Sequence, residues 1–220
     1  MEKAISYSLS ENYIHNLASF IEENYIRKDK DISKLALVFG GKRPELFLKR
    51  ELAARIGKTF FGPKFFSMDE FVEYILSQKE PFRKISDLDS CFLIYRLSRE
   101  IAPDILREKE SFALFLPWAR EILSFIEQLD LEEIKLIELN RIQLNASIGY
   151  DVPQSINALL EKITSIRDAY HNELKKRKAY TRGLMYLLAS QGVQEADFSE
   201  FPEIFFCNLF YLHKAESGIV

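Results

Sequence analysis

Leu35-Ala-Leu-Val-Phe-Gly-Gly-Lys-Arg-Pro44 runs from five apolar residues through a glycine pair and two cations to a proline. An unbroken apolar run of this length is the pattern of a strand covered on both faces. Gly40-Gly41 ends it, and Pro44 suits the first turn of a helix, where its missing N–H has no partner to lose. The helix that follows carries Leu48, Leu52 and Ile56 on one stripe and stops at Gly57.

The same alternation extends to either side. Ala4–Tyr7 reads as a short strand. A helix with Tyr13, Leu17, Phe20 and Ile21 on one face follows, its start marked by the Ser8-x-x-Glu11 capping pattern. Beyond Gly57, Lys64-Phe-Phe66 reads as a third strand, and Ser67 with Glu70 repeats the capping pattern ahead of a helix over Met68–Ser77. Three strand–helix steps within residues 1–80 predict an α/β domain with a parallel sheet and right-handed crossovers. Residues 81–190 carry helical stripes instead: Trp118, Ile122, Phe125, Ile126 and Leu129, then Ile156, Leu159, Ile163, Ile166 and Tyr170. Pro103, Pro117 and Pro153 punctuate them near helix starts or breaks. This region reads as an inserted helical subdomain. Residues 191–220 return to the α/β pattern with the buried-strand run Glu203–Cys207, as in the front part of a longer architecture.

Composition excludes several classes. A formal charge of −3 over 220 residues carries no global nucleic-acid footprint, so any such contact must be local. Cys91 and Cys207 stand apart with no metal-ligand spacing, and Cys207 in its apolar run reads as a buried free thiol. His15, His171 and His213 are dispersed, which speaks against a metal site. No secretory leader and no membrane-length apolar run is present, so the cytoplasm is expected, with no membrane partner.

Phosphate-loop chemistry is incomplete. Gly57-Lys58-Thr59 matches the end of a P-loop, but Leu52 stands where the first glycine belongs and the triplet follows a helix. A helix C-cap is the better reading. The turn after the first expected strand, Tyr7–Asn12, has neither glycine nor lysine. No acidic pair for Mg²⁺ follows Phe206, and Glu132 and Glu133 read as a solvated helix face. No catalytic residue and no cofactor is assigned.

Local charge is more informative. Lys42, Arg43, Lys49, Arg50, Arg55, Lys58 and Lys64 face only Glu45 and Glu51 between positions 42 and 64. Gly41, Lys42 and Arg43 fall at the carboxyl end of a parallel strand and the start of a helix, where open α/β sheets take anionic ligands. The alternative is a solvated basic helix face. A second cluster, Lys175–Lys178 with Arg182, also suits the negative end of a helix.

The run Leu35–Ala53 and the step Gly62-Pro-Lys-Phe-Phe-Ser-Met-Asp-Glu-Phe71 resemble the inactivated superfamily I helicase domain of AddB-type subunits of helicase–nuclease complexes. Lys178–Gly183 with Met185-Tyr186, and Phe205–Glu216, are similar to later segments of that family in the same order. The resemblance implies a RecA-like (P-loop NTPase-like) sheet with a large helical insertion, acting in DNA repair and recombination. It assigns single-stranded DNA contact to Gly41, Lys42 and Arg43; Lys49 and Arg50 join them on charge alone. It also implies a helicase–nuclease partner subunit. Asn208 stands where the family has Gly, and His213 where it has Thr. The family's second helicase domain and nuclease have no counterpart in these 220 residues, so nuclease activity is not carried over. Two other readings stay open: an ATPase with a divergent phosphate loop, and a scaffold docking a protein through Phe112, Phe115, Trp118 and Phe125.

Overall fold

The computed structural model describes residues 4–8, 10–79, 81–106, 111–135 and 154–220. It is a helix-rich α/β protein whose chain groups into two compact units. The first comprises Met1–Tyr74 and Ala196–Tyr211, the second Ile75–Glu195 and Leu212–Val220. Among the described residues, no helix is long and apolar enough to cross a membrane.

The first unit is built on β1 (Leu35–Phe39), which lies between β2 (Lys64–Ser67) and β5 (Glu203–Cys207), both parallel to it. Every residue of β1 is buried, as its unbroken apolar run requires of a strand packed on both sides. Leu35, Leu37 and Phe39 face helices α1 (Tyr13–Asn24) and α2 (Arg43–Ile56), packing with Leu17, Ile21, Leu48 and Leu52. Val38 points to the opposite face, in register with Phe66 and Phe206. There Phe71 of α3 (Met68–Ser77) meets Phe66 and Phe206 edge-on, with ring centroids 5.6 and 5.5 Å apart.

The local signals around β1 hold. Gly57 ends α2 in the left-handed conformation at φ 65°, which marks it as a C-cap and not a phosphate loop. Ser67 and Glu70 form the expected capping box, Glu70 accepting from the Ser67 amide and hydroxyl at 2.9 Å each. Asn208 takes φ 54°, so the turn after β5 accepts asparagine at a left-handed position. The amino-terminal reading does not hold. Ala4–Tyr7 is not a strand: Ala4 and Ile5 are exposed, leaving too little apolar burial to recruit the segment into the sheet. The cap of α1 is Asn12, whose side chain accepts from the His15 amide, while Ser8 and Glu11 close a backbone turn.

The second unit packs α4 (Asp87–Ile101), α5 (Phe112–Leu131), α6 (Gln154–Lys176), α7 (Arg182–Gly192) and the short α8 (Lys214–Ile219). Ile75, Ile94, Phe115, Ile126, Tyr170 and Tyr186 are its largest fully buried side chains. Two-residue strands, β3 (Arg83–Lys84) and β4 (Ala179–Tyr180), pair parallel in a region whose sequence gives no strand signal. Pro117 lies inside α5 and does not break it. Ala113, whose carbonyl loses the bond from residue 117, is exposed and therefore open to solvent. Pro153 lies outside the described residues. Glu132 and Glu133 are not a solvated helix face: Glu132 meets His213 at 2.6 Å and Glu133 accepts from the Ser190 hydroxyl at 2.5 Å.

Candidate nucleic-acid interface at the sheet edge

Three parallel strands end on one edge, and the chain leaves each differently. After β1, Gly40 and Gly41 lead into α2, with Arg43 its first residue and Pro44 in its first turn. After β2 the chain enters α3 directly at Met68. After β5 it runs through Asn208–Tyr211, and a Cβ at Gly40 would lie 3.8 Å from Leu209 Cδ2, so the first and third exits are neighbours. Gly40 and Gly41 keep ordinary negative φ, and a Cβ at Gly41 would meet nothing within 4 Å. The fold itself therefore makes no demand for glycine at 41, and the backbone there is open to an approaching group.

Charge on this edge is thinner than the sequence count. Lys42 is exposed but ion-paired with Glu70 at 2.5 Å. Lys49 pairs with Glu45 one turn back and lies over the Phe65 ring at 4.9 Å. Arg55 is mostly buried and ties α2 to α1 through Glu22 and Ser19, while also pairing with Glu51 one turn back on its own helix. Arg43 and Arg50 are exposed and carry no ion pair among the described residues. They stand seven residues apart on α2, about 10 Å along one face. Phe47 lies between them on that face, 54% exposed, beside Leu46 at 52%.

The five candidate residues thus separate. Gly41, Lys42 and Arg43 lie together at the strand exit, Arg50 continues their line along α2, and Lys49 belongs to a neutralised neighbouring face. Sequence reasoning missed Phe47, although its spacing of four from Arg43 and three from Arg50 is visible in the chain. It also missed Phe210 and Tyr211, 80% and 71% exposed after β5. An aromatic beside a strand reads as core until the strand's end is placed.

The Lys42–Glu70 pair gives the edge a pH dependence. Lys42, then the Ser67 amide, hold the Glu70 carboxyl down at about 2, against an ordinary value of 4.5. A depressed carboxylate stabilises the fold above its unfolded pKa and loses that contribution as pH falls. The expected loss therefore runs from about pH 4.5 down toward 2. It is small, since Glu70 is 39% exposed and water screens the pair. Thermal melts of wild type and Glu70→Gln over that range should converge as pH falls; a constant gap would assign the shift elsewhere.

The histidines serve structure. His15 joins Glu51 and Arg55, His171 Nε2 donates to the Asp130 carboxylate at 2.9 Å, and His213 caps α8. Among the described residues no three His, Cys, Asp or Glu side chains group to hold a metal. Both cysteines are buried free thiols, and burial pushes Cys207 up to about 11. Of the second basic cluster, Lys176 and Arg177 pair with Glu173, while Arg182 lies over the Tyr186 ring. Comparison with known proteins finds no family model and no curated protein that matches this chain.

Proposed function

We propose that this protein is a non-catalytic, helicase-like module that binds single-stranded DNA along the carboxyl edge of its sheet, as part of a repair or recombination helicase–nuclease with a partner subunit. The observation that carries the reading is the exposed Arg43–Phe47–Arg50 line descending from the open Gly40-Gly41 turn. Two unpaired guanidinium groups answer backbone phosphates, and an exposed ring between them offers a base a stacking surface. Phe210 and Tyr211, on the neighbouring exit, extend that surface. Supporting it are the parallel three-stranded sheet and the resemblance of residues 35–71 to an inactivated helicase domain, which together favour a RecA-like origin for the first unit.

The test is fluorescence anisotropy of a labelled oligo(dT) at two salt concentrations. Wild type should bind more weakly at higher salt, and Lys42→Ala/Arg43→Ala should lower both affinity and the salt slope, by about 0.7 per lost phosphate contact. Glu70→Gln should act oppositely and tighten binding, because it frees the Lys42 ammonium. Salt-independent binding, or binding by the double variant equal to wild type, overturns the reading. A second reading has its own observation: Leu114 and Trp118, one turn apart on α5, are 61% and 43% exposed. A folded protein with no affinity for DNA at low salt would favour protein docking through that face.

A further inference from the structure

The basic cluster at the end of α6 acquires new neighbours through tertiary structure. Parallel pairing of Arg83 with Ala179 and Lys84 with Tyr180 lays the β3 cations beside the end of α6. Arg177, just past the end of α6, Arg83 and Lys84 from β3, and Arg96 from α4 line one cleft of about 310 Å³. That volume is at the small end of ligand sites, about 300–1,000 Å³. The cleft holds one opposing carboxylate, Asp89, whose Oδ2 accepts from the Ser86 hydroxyl at 2.7 Å. Glu173 draws on Arg177 from α6 at 3.2 Å. Arg96 has no ion pair among the described residues. β3, α4 and the end of α6 therefore bring four cations to one concave surface lined by a single carboxylate, a positive excess that favours an anion.

The cleft also has an apolar wall. Phe92 lines it one helical turn before Arg96, and is 47% exposed. Phe112 meets the Phe92 ring edge-on, centroids 5.2 Å apart at 86°. A half-open aromatic ring one turn from the Arg96 guanidinium suits a planar base joined to a phosphate.

We infer that this cleft is a nucleoside-phosphate site, with Arg83, Arg96 and Arg177 taking the phosphate and Phe92 the base. The inference stands apart from the sheet-edge reading, because it uses none of those residues. The phosphate belongs either to a free nucleotide or to one nucleotide of a strand, and the two sources separate experimentally. Full-length protein is titrated with AMP and adenosine by calorimetry, and with labelled (dT)15 by anisotropy. The variants are Arg96→Glu/Arg177→Glu, Phe92→Ala and Lys42→Ala/Arg43→Ala, each checked for native helix content by circular dichroism.

For a free nucleotide, AMP binds, adenosine binds at least about tenfold more weakly, and the arginine double variant abolishes AMP binding. For a strand, AMP does not bind, and the double variant weakens (dT)15 binding about tenfold with a shallower salt slope. Phe92→Ala weakens the binding of the same ligand about fivefold or more. In the free-nucleotide case Lys42→Ala/Arg43→Ala leaves AMP binding unchanged, so failure at the sheet edge is told from failure here. The inference is overturned if wild type binds neither probe, if adenosine binds as well as AMP, or if a folded arginine double variant binds like wild type. Should Arg96→Glu/Arg177→Glu lose its fold, Arg96→Ala alone decides the same question.

Discussion

Replacing Asp130 with alanine should destabilise the helical unit by about 3–5 kcal/mol, lowering its midpoint by about 6–20 °C. Asp130 is fully buried at the end of α5. Its Oδ1 accepts from Arg167 Nε at 2.8 Å and Nη2 at 2.6 Å, and its Oδ2 meets His171 Nε2 at 2.9 Å. Arg167 Nη1 also donates to the Ile134 carbonyl at 2.7 Å, tying α6 to the turn after α5. Alanine leaves the Arg167 guanidinium almost wholly buried without its counter-charge, and that, not the lost attraction, sets the size of the effect. Removing Arg167 and Asp130 together, with apolar residues of similar volume, should cost much less. Urea melts followed by the fluorescence of Trp118, the single tryptophan and itself in α5, report on this unit. A loss below about 1 kcal/mol for Asp130→Ala would show that the buried cluster contributes little.

The second large effect is expected at Gly183, the second residue of α7. Intrinsic propensity favours alanine over glycine in a helix by about 1 kcal/mol. Packing opposes it: an added Cβ would lie 2.9 Å from Glu127 Cα, 3.1 Å from the Glu127 carbonyl oxygen and 3.2 Å from Asp130 Cβ. The nearest two atoms are backbone of a packed helix, which cannot turn aside as a side-chain tip can. Overlap of this kind typically costs about 1–3 kcal/mol or more, so Gly183→Ala should destabilise despite the helix propensity. Gly41→Ala provides the contrast, with ordinary φ and open space, and should stay within about 0.5 kcal/mol of wild type. The same melts decide both; a stabilised Gly183→Ala would mean that α7 shifts away from α5 at little cost.

These expectations separate what can be read along the chain from what cannot. β1, the Gly57 stop, the Ser67–Glu70 cap and β5 are all visible in sequence, because each depends on a few consecutive side chains and local backbone preference. Ala4–Tyr7 has the composition of a strand, but strand formation needs a neighbour, and composition does not supply one. β3 and β4 err in the other direction: two residues each carry no periodicity, and pairing alone makes them strands.

The candidate sites divide in the same way. The turn Gly40–Arg43 was legible because strand, glycine pair and helix start are contiguous. Which of its cations remain available was not, since Lys42 loses its freedom to Glu70, twenty-eight positions on, and Arg55 to Glu22 on another helix. The four-cation cleft is wholly tertiary, for neither Arg83-Lys84 nor Lys175–Lys178 shows in sequence that a two-residue strand pair brings them together. Sequence alone determined the parallel-strand pattern and the position of its basic exit, because local periodicity and backbone conformation are properties of neighbours in the chain. Tertiary structure alone decided which charges are paired, which rings are exposed and where cations converge, because Coulomb interaction and burial depend on distance in space.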